Sequence, residues 1–277
     1  MEMEKRMKFY KMNGIGNDFI VIDAFHTRVE NPSELAKNLC RRGLSVGADG
    51  LMLLESTPNA DSFMRLYNND GSEAEMCGNG VRCAAKLTYD LGIARRETVQ
   101  VETLAGIRSI RLQIENGKAV AATVDMSEPI FDPVKIPVNA PGNEFAVDLD
   151  GQTARFFCVS TGTPHAVTFD CFPDGEVFRR FGVKMENHPN FPRKANIDFA
   201  RVVDRNHVEM RVWERGCGPT LACGTGACAV LTAGVKKGLL DREAEVRLPG
   251  GILKIRWEEN GHLFMTGPAA LSYIGEI

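Results

Sequence analysis

The sequence predicts an α+β protein with two pseudo-symmetric lobes, each a mostly antiparallel, barrel-like sheet wrapped around a central apolar helix. The first observation is an internal repeat: Met64–Tyr67 matches Met210–Trp213, and Cys77–Gly80 matches Cys223–Gly226, both at an offset of 146 residues. The second is that short runs of alternating apolar residues, typical of half-buried strands, recur in both halves. The third is one long apolar helical segment in each half, because a helix that is apolar on nearly all sides must be enclosed.

The N-terminal lobe is predicted to span residues 1–125. A first helix is expected after Asn31, with Glu34 closing a capping box. A second, buried helix is expected over Gly78–Leu91, ended by Gly92. The strands predicted in this lobe are Met7–Met12, Phe19–Ala24, Leu51–Leu54, Phe63–Tyr67, Val99–Thr103, Ile107–Ile114 and Ala119–Val124, the last two joined by a tight turn at Asn116-Gly117.

The C-terminal lobe is predicted to span residues 126–277. Prolines between Pro129 and Pro141 mark a candidate linker at its start. Its buried helix is expected over Gly224–Lys237 and ends at Gly238. The other elements predicted here are strands at Ala154–Val159, Ala166–Phe169, Ile197–Val203 and Val208–Trp213, a helix near Gly175–Phe181, and a closing hairpin at Asn260-Gly261.

The composition predicts an enzyme of the cytoplasm. A net charge of −3 over 277 residues offers no electrostatic footprint for nucleic acid. The longest uncharged apolar-leaning run, Leu221–Val235, is too short and too rich in glycine to span a membrane. Residues Met1–Tyr10 alternate acidic and basic side chains and lack the apolar stretch of a signal peptide. Without an export signal, the eight cysteines are expected to be reduced thiols rather than a disulfide framework.

One cysteine in each half, Cys77 or Cys223, lies in a glycine-rich turn just before the buried helix. The N–H groups and the dipole at a helix start favour negative charge, so the pKa of each thiol is expected to fall. The neighbouring glycines let a ligand approach the backbone closely. A carboxylate suits such a turn, because the N–H groups that stabilise a thiolate can also hold an anion.

The two cysteines are expected to act as a pair across a shared cleft. Two thiolates about 7 Å apart would repel by roughly 2.4 kcal/mol at an effective dielectric of 20, which favours one thiolate and one thiol. A base and an acid would then face one substrate carbon from opposite sides, and the reaction would exchange their roles. The sequence assigns neither role to a particular cysteine.

Other interpretations of the cysteines and glycines have less support. Cys40, Cys158 and Cys171 are expected to be core residues, and so are Cys83 and Cys228 within the two helices. A zinc site in the second half would lack the short C-x-x-C pairs that such sites favour, so no metal is expected. No lysine follows the second glycine turn as in a P-loop, and neither turn completes G-x-G-x-x-G, which disfavours phosphate and dinucleotide sites.

Long segments of the sequence resemble the signatures of the diaminopimelate epimerase family. The first signature is similar to Asp70–Gly80, which reads DGSEAEMCGNG. The second is similar to Glu214–Gly216 followed by Ala222–Gly226, which read ERG and ACGTG. The opening Gly14–Phe19 also resembles the start of the family, and the similarity covers nearly the whole chain.

The resemblance implies an epimerase without a cofactor that interconverts LL- and meso-diaminopimelate, on the route to lysine and peptidoglycan. Cys77 and Cys223 would be the acid/base pair acting on this small amino-acid substrate. The family resemblance also implies two lobes that close over the substrate, a homodimer, and a C-terminal tail at 268–277 that returns to the first lobe.

The resemblance further implies two groups of substrate-binding residues. The residues expected at the reacting carbon are Asn17, Gly78, Asn79, Gly224 and Thr225. Those expected at the distal amino-acid end are Asn68, Asn196, Arg215, the carbonyl of Glu214 and the position held by Thr163. Arginine can meet a carboxylate with two parallel hydrogen bonds, and asparagine supplies both a donor and an acceptor.

Two positions depart from the family pattern. Thr163 precedes Pro164-His165 where many members carry asparagine, and Gly50 follows Asp49 where others carry glutamine. Both changes touch the predicted substrate pocket. A second hypothesis is therefore a racemase of another amino acid, such as histidine or a broad set, that also works without pyridoxal phosphate. A third is a non-catalytic protein that binds amino acids, or an isomerase without thiol chemistry.

Overall fold

The computed structural model describes residues 6–277, so the first five residues of the predicted N-terminal lobe lie outside the described part. The chain divides into two compact units. Unit 1 contains the residues up to Val124 together with Gly267–Ile277, and unit 2 contains Asp125–Thr266. In the described part of the chain, no helix combines the length and the apolar character needed to cross a membrane.

The secondary structure follows the same order in both halves of the chain. The first elements are β1 (Lys8–Gly14), β2 (Asn17–Asp23), α1 (Pro32–Leu39), β3 (Gly50–Glu55), β4 (Ser62–Asn68), β5 (Glu73–Ala74), α2 (Gly78–Asp90), β6 (Thr98–Thr103), β7 (Gly106–Glu115) and β8 (Lys118–Asp125). They are followed by β9 (Glu144–Leu149), β10 (Gln152–Ser160), β11 (Pro164–Thr168), α3 (Gly175–Glu186), β12 (Asn196–Asp204), β13 (His207–Glu214), β14 (Gly218–Pro219), α4 (Gly224–Lys236), β15 (Glu243–Leu248), β16 (Gly251–Trp257), β17 (Leu263–Pro268) and β18 (Ala270–Glu276).

Unit 1 is a mostly antiparallel sheet curved around α2. Its strand order is β18-β1-β2-β3-β4-β6-β7-β8, with the short β5 paired to β4. Only the β2–β3 and β4–β6 pairs in this order are parallel. Helix α2 contacts β1, β2, β3, β4, β6 and β7, so the sheet wraps around it without closing into a barrel.

Unit 2 repeats this topology around α4. Its order is β9-β10-β11-β12-β13-β15-β16-β17, with β14 paired to β13. The parallel pairs are again the equivalent ones, β11–β12 and β13–β15. Helix α4 contacts β10, β11, β12, β13, β15 and β16. The predicted α+β class, with one enclosed helix in each half, is confirmed.

The enclosed helices are buried on all sides but differ in composition. In α4, buried positions between Gly226 and Gly234 are apolar apart from Thr232. In α2, every residue from Asn79 to Tyr89 is buried, including the two cations Arg82 and Lys86. A buried cation needs hydrogen-bond acceptors, and both arginine and lysine have them here.

Each unit has a second core on the outer face of its sheet. In unit 1, α1 contacts β3 and β4 over a cluster that includes Ile20, Leu51 and Leu53. In unit 2, α3 contacts β12 and β13 over a cluster that includes Phe156 and Phe199. Apolar side chains on both faces explain why these strands read as continuous apolar runs.

Local signals in the sequence set the helix ends and the hairpins. Gly92 and Gly238 have φ of +82° and +71°, the left-handed conformation that glycine adopts after a helix. Asn116 and Gly117, with φ of +50° and +74°, join β7 to β8. Positive φ at both positions suits a type I′ turn, which matches the twist of the paired strands.

Two local expectations were wrong. Asn31 lies at the N-cap of α1 but has φ of +47° and makes no side-chain capping hydrogen bond, so no capping box forms there. The proline-rich stretch after Pro129 is not a free linker, because Ile136 and Val138 are buried in the core of unit 2. In addition, Ile130 pairs with Ser160.

Candidate active site

Cys77 is the N-cap residue of the enclosed helix α2. Its backbone is extended, with φ of −140° and ψ of 120°, and the helix begins at Gly78. The N–H of Gly80 donates to Cys77 Sγ at 3.4 Å. Glycine at this position leaves room for the sulfur, because a Cβ on Gly80 would lie 3.3 Å from Cys77 Cβ. The half-buried thiol therefore lies at the positive end of a helix.

Two asparagine amides surround Cys77. Asn17 Oδ1 accepts from Cys77 Sγ at 3.6 Å and from Asn79 Nδ2 at 3.4 Å. Asn17 Nδ2 donates to Asp49 Oδ2 at 2.8 Å, and Arg82 donates to Asn79 Oδ1 at 3.0 Å. The structure thus brings Asn17 and Asn79, with Gly78 between Cys77 and Asn79, into one cluster.

Asn68 belongs to a different part of unit 1. It ends β4, where it pairs with Gly50 of β3. Its side chain is exposed and donates to Ser72 Oγ at 3.0 Å.

Cys223 is the N-cap residue of α4 and has the same local geometry. Its φ and ψ are −135° and 106°, and the N–H of Gly226 donates to Sγ at 3.4 Å. Thr225 Oγ1 also lies 3.4 Å from the sulfur. Unlike Cys77, Cys223 is buried, with 5% of its surface exposed, and the adjacent Gly224 is buried too.

The surroundings of Cys223 oppose a thiolate. Burial raises the pKa of Cys223 well above its ordinary value, and the nearby carboxylates of Glu214 and Asp198 raise it further. The hydrogen bonds from Thr225 and from the N–H of Gly226 act in the opposite direction but do not prevail. The expectation that the helix start lowers this pKa was therefore wrong, because desolvation and two acids outweigh the helix N–H groups.

The Glu214 side chain hydrogen-bonds to the Cys223 thiol. Burial raises the pKa of its carboxyl, while hydrogen bonds with Thr220 and Cys223 act in the opposite direction. The Thr220 hydroxyl donates to Glu214 Oε1. The sequence pointed only to the Glu214 carbonyl, which accepts from the N–H of Cys217 at 3.0 Å. The structure adds the carboxyl group to the site.

A buried histidine–aspartate pair lies behind the Cys223 turn, and sequence reasoning missed it. His165 Nδ1 lies 2.7 Å from Asp198 Oδ2, and both side chains are fully buried. His165 Nε2 lies 2.9 Å from Thr225 Oγ1, which in turn contacts the Cys223 sulfur. In the tautomer whose Nδ1–H donates a hydrogen bond to Asp198, Nε2 carries no proton and can accept a hydrogen bond from the Thr225 hydroxyl. The only sequence signal was the Pro164-His165 pair.

The remaining residues predicted for the distal end form a second group in unit 2. Asn196 Nδ2 donates to Thr163 Oγ1 at 3.2 Å, and Asn196 Oδ1 accepts from the N–H of Arg215 at 2.9 Å. The Thr163 hydroxyl also lies 3.1 Å from His165 Nε2. The guanidinium of Arg215 is exposed and donates to the carbonyl of Arg193 at 3.3 Å, so it remains accessible to an anion.

Four other cysteines have the properties of core residues. Burial raises the pKa of Cys40 to about 11 and that of Cys83 and Cys158 to about 12. It also raises the pKa of the half-buried Cys171 to about 11. None of these four is an N-cap residue. Within residues 6–277, no group of three histidine, cysteine, aspartate or glutamate side chains is arranged to hold a metal ion.

Sequence reasoning also missed Arg82 and Asp49, the two charged residues that contact the Asn17 and Asn79 amides. Arg82 lies within a segment predicted to be an apolar helix, where a fully buried arginine is exceptional. That conflict between composition and burial was the available signal. Asp49 gave no signal beyond its place before β3.

Comparison with known proteins identifies the family of this chain. The family model described as diaminopimelate epimerase matches residues 9–131 and 157–272. A diaminopimelate epimerase of Acetivibrio thermocellus is 49% identical over 98% of this chain and 98% of that protein. One of Methanococcus maripaludis is 48% identical over 98% of this chain and 99% of its own length.

Solved structures with low sequence identity share the fold. A hydroxyproline epimerase from Agrobacterium vitis superposes with a TM-score of 0.71 at 16% identity, over 100% of this chain and 92% of its own. A PhzF-family phenazine biosynthesis protein of Bacillus anthracis superposes with a TM-score of 0.67 at 16% identity, over 99% of both chains. With nearly half of its residues identical to full-length relatives and with the family model matched in both halves, the chain belongs to the diaminopimelate epimerase family.

Proposed function

We propose that this protein is a cofactor-independent diaminopimelate epimerase that interconverts the LL and meso isomers by exchanging one proton at the α-carbon. One observation carries the proposal. The cysteines marked by the two family signatures, Cys77 and Cys223, are both N-caps of enclosed helices with nearly identical backbone angles. A duplicated fold that keeps a thiol at the same place in each copy suits a reaction that needs two equivalent proton carriers.

In this mechanism one thiolate removes the α-proton while the other thiol delivers a proton to the opposite face. The raised pKa of Cys223 favours its protonated form, which suits the role of the acid and leaves the role of first base to Cys77. When the reaction runs the other way, Cys223 must lose its proton. The Glu214 carboxyl, which hydrogen-bonds to Cys223, is positioned to receive it.

The helix starts would stabilise the charge that develops on the α-carboxylate. N–H donors aimed at that charge contribute more in a water-excluded site than they would in water. The residues proposed to hold the reacting end are Asn17, Gly78, Asn79, Gly224 and Thr225. Those proposed for the distal end are Asn68, Thr163, Asn196, Arg215 and the carbonyl of Glu214.

We also propose a homodimer formed through β18, in the cytoplasm, where eight cysteines stay reduced. Among the described residues, β18 pairs only with β1, which leaves its other edge open. Its exposed side chains include Leu271, Tyr273 and Ile274. An open, apolar edge strand is a site for pairing with another chain.

Sedimentation tests the dimer and should give twice the 30.5 kDa chain mass. Tyr273→Lys should give a monomer, whereas Val134→Lys at an exposed site in unit 2 should not.

Incubation in D2O with LL-diaminopimelate and a panel of L-amino acids, including histidine, tests the reaction. We expect only diaminopimelate to lose its α-proton, and the epimerised product to carry deuterium, both followed by NMR. Product without solvent deuterium would indicate a shielded single-base route and would contradict the two-thiol mechanism.

A second candidate function is the racemisation of another amino acid. Thr163 favours it, because the threonine side chain is shorter than the asparagine of many family members. Its hydroxyl also already accepts a hydrogen bond from Asn196. Loss of the α-proton from histidine or from several amino acids, with none from diaminopimelate, would support this alternative. If alkylation of Cys77 or Cys223 had no effect on any activity, the third hypothesis would apply, a non-catalytic protein that binds amino acids or an isomerase without thiol chemistry.

A further inference from the structure

Arg82 is a fully buried cation in the first turns of α2. It is among the largest side chains of the described residues with no exposed surface. Burying a guanidinium without acceptors is strongly unfavourable. Two of its acceptors belong to the Cys77 turn: Asn79 Oδ1 at 3.0 Å and the Gly78 carbonyl at 3.2 Å. The carbonyl of Pro268, in the C-terminal segment of unit 1, lies 3.4 Å from Nε.

Arginine can only donate hydrogen bonds, and this fixes the orientation of the Asn79 amide. The two orientations of an asparagine amide have the same shape, so only their hydrogen-bond partners distinguish them. With Oδ1 turned to Arg82, Nδ2 turns to Asn17 Oδ1 at 3.4 Å. Asn79 then presents only N–H donors to the site, which suits an anionic group of the substrate.

The Asp49 carboxylate fixes the orientation of the Asn17 amide in the same way. The Asp49 carboxylate accepts from Asn17 Nδ2 at 2.8 Å, and an ionised carboxylate cannot donate. Asn17 Oδ1 must therefore face Asn79 and the Cys77 sulfur. Arg82, Asn79, Asn17 and Asp49 form a continuous sequence of hydrogen bonds, here called the amide chain, with a donor-only group at one end and an acceptor-only group at the other.

The equivalent positions in unit 2 show that the fold does not require the amide chain. At the repeat offset of 146 residues, Cys228 stands in the place of Arg82 and Ala195 in the place of Asp49. Cys228 is buried within α4, and Ala195 is buried in the core of unit 2. The buried arginine is therefore an addition to the Cys77 half, and its cost is offset by contacts with the Cys77 turn.

We propose that Arg82 and Asp49 are positioning residues that hold the amides of Asn79 and Asn17 in the single orientation that serves Cys77 and an anionic substrate. The inference rests on the proposed function for its kinetic consequence. The amide orientation itself is independent of which amino acid is the substrate. Neither residue touches the reacting carbon in this proposal, since each acts through an asparagine.

A double-mutant cycle tests this. We expect Arg82→Met and Asn79→Ala each to lower kcat/KM by about tenfold or more, and the double variant to be no worse than the poorer single variant. Such non-additivity distinguishes positioning through Asn79 from a general loss of stability, which would give losses that multiply. Asp49→Ala and Asn17→Ala form the second cycle, and Asp49→Asn, which keeps an acceptor, should retain more activity than Asp49→Ala.

Lys86→Met is the matched control, because Lys86 is the other buried cation of α2 and bonds to Asp90 and the Ala119 carbonyl instead. We expect its effect to multiply with that of Asn79→Ala. If Arg82→Met does not fold, Arg82→Gln enters the same cycle, because a glutamine amide can both donate and accept and no longer fixes the Asn79 amide. Multiplicative losses in the Arg82 cycle would overturn the proposal.

A readout without substrate separates this inference from the proposed function. The rate of Cys77 alkylation, followed by peptide mass spectrometry, reports on the groups around its sulfur. We expect it to change in Arg82→Met and in Asn17→Ala, with no further change in the double variant, and to stay unchanged in Lys86→Met. Unchanged alkylation in Arg82→Met would overturn the inference even if the enzyme epimerises diaminopimelate. The expected changes would support it even if the substrate proved to be another amino acid.

Discussion

The Cys77 turn and the Cys223 turn have the same backbone conformation but differ in the side chains that surround the sulfur. Both cysteines are N-caps whose sulfur accepts from the N–H three residues later at 3.4 Å. Around Cys77 lie two amides and, beyond them, the buried cation Arg82. Around Cys223 lie the acids Glu214 and Asp198. Duplication preserved the geometry of the helix start, while the surroundings of the two thiols diverged.

This difference shows that a helix start does not by itself determine the protonation of a thiol. The N–H groups are equivalent in the two turns, yet burial and the nearby acids raise the pKa of Cys223 well above its ordinary value. For a two-base reaction the asymmetry is useful, because an acid and a base must coexist before the substrate arrives. With identical surroundings, repulsion would still favour one thiolate and one thiol, but neither cysteine would be the preferred acid.

Removal of either sulfur should have the largest effect. We expect Cys77→Ala and Cys223→Ala each to lower kcat by about 10⁴-fold or more, since neither face of the carbon can be served without its proton carrier. Cys171→Ala, which removes a half-buried thiol of unit 2, is the control and should keep its activity. Full epimerisation by either single variant would refute the pairing.

Replacement of Gly80 or Gly226 by alanine should have the next largest effect, and this effect should differ between the two turns. A Cβ on Gly226 would lie 2.8 Å from Asp198 Oδ1 and 3.3 Å from Cys223 Sγ, whereas one on Gly80 would meet the flexible end of Met52 at 3.2 Å. Helix propensity favours alanine by about 1 kcal/mol at both sites. Overpacking against a carboxylate held by His165 costs about 1–3 kcal/mol and outweighs it only at Gly226.

We therefore expect Gly226→Ala to lower both the free energy of unfolding and, by about 10²-fold, the activity. Gly80→Ala should be close to neutral in stability. Urea denaturation and steady-state kinetics of both variants measure the contrast. Equal losses at the two positions would show that Asp198 moves freely and does not constrain the Cys223 turn.

The same comparison shows what the sequence could predict. The repeat and the enclosed helices were predictable, because apolar periodicity and glycine ends such as Gly92 and Gly238 are local signals. The cysteine positions at the helix starts followed from the same signals. The acids that raise the pKa of Cys223 were not predictable, because Asp198 and Glu214 come from strands β12 and β13 and meet the thiol only after folding.

The missed residues share a second property. Arg82 and Asp198 are buried charged residues within segments whose apolar periodicity predicts a helix and a strand, and that periodicity gives them no role in the site. Asn31 shows the opposite error, since its residue type suggested a cap that its left-handed backbone does not allow. A residue type predicts chemistry only where the backbone and the neighbours permit it.

Glu214→Gln should have a smaller effect, which is to lower the pKa of Cys223. The glutamine keeps the size of the side chain and removes a charge that raises the pKa of Cys223. The thiolate is the form that reacts with an alkylating agent, so a lower pKa moves the rise of the alkylation rate of Cys223 to lower pH. The alkylation profile of Cys77 should serve as the internal reference, and Glu209→Gln on the same strand as the matched control. An unchanged profile, or a shift to higher pH, would contradict the repulsion between the Glu214 carboxylate and the Cys223 thiolate.

The hairpins that follow the two helices should give the smallest difference. Gly117 has φ of +74° with no neighbour within 4 Å of an added Cβ, whereas Gly261 has φ of +90° and an added Cβ would lie 3.2 Å from Glu128 Cδ. Alanine in a left-handed conformation costs about 1–2 kcal/mol, and Gly261→Ala must also displace the glutamate. We expect losses of about 1 kcal/mol for Gly117→Ala and about 2 kcal/mol for Gly261→Ala in urea denaturation, with unchanged kcat/KM in both. Gly261→Ala combined with Glu128→Ala should fall back to the value for Gly117→Ala, because only the crowding, and not the backbone strain, distinguishes the two turns.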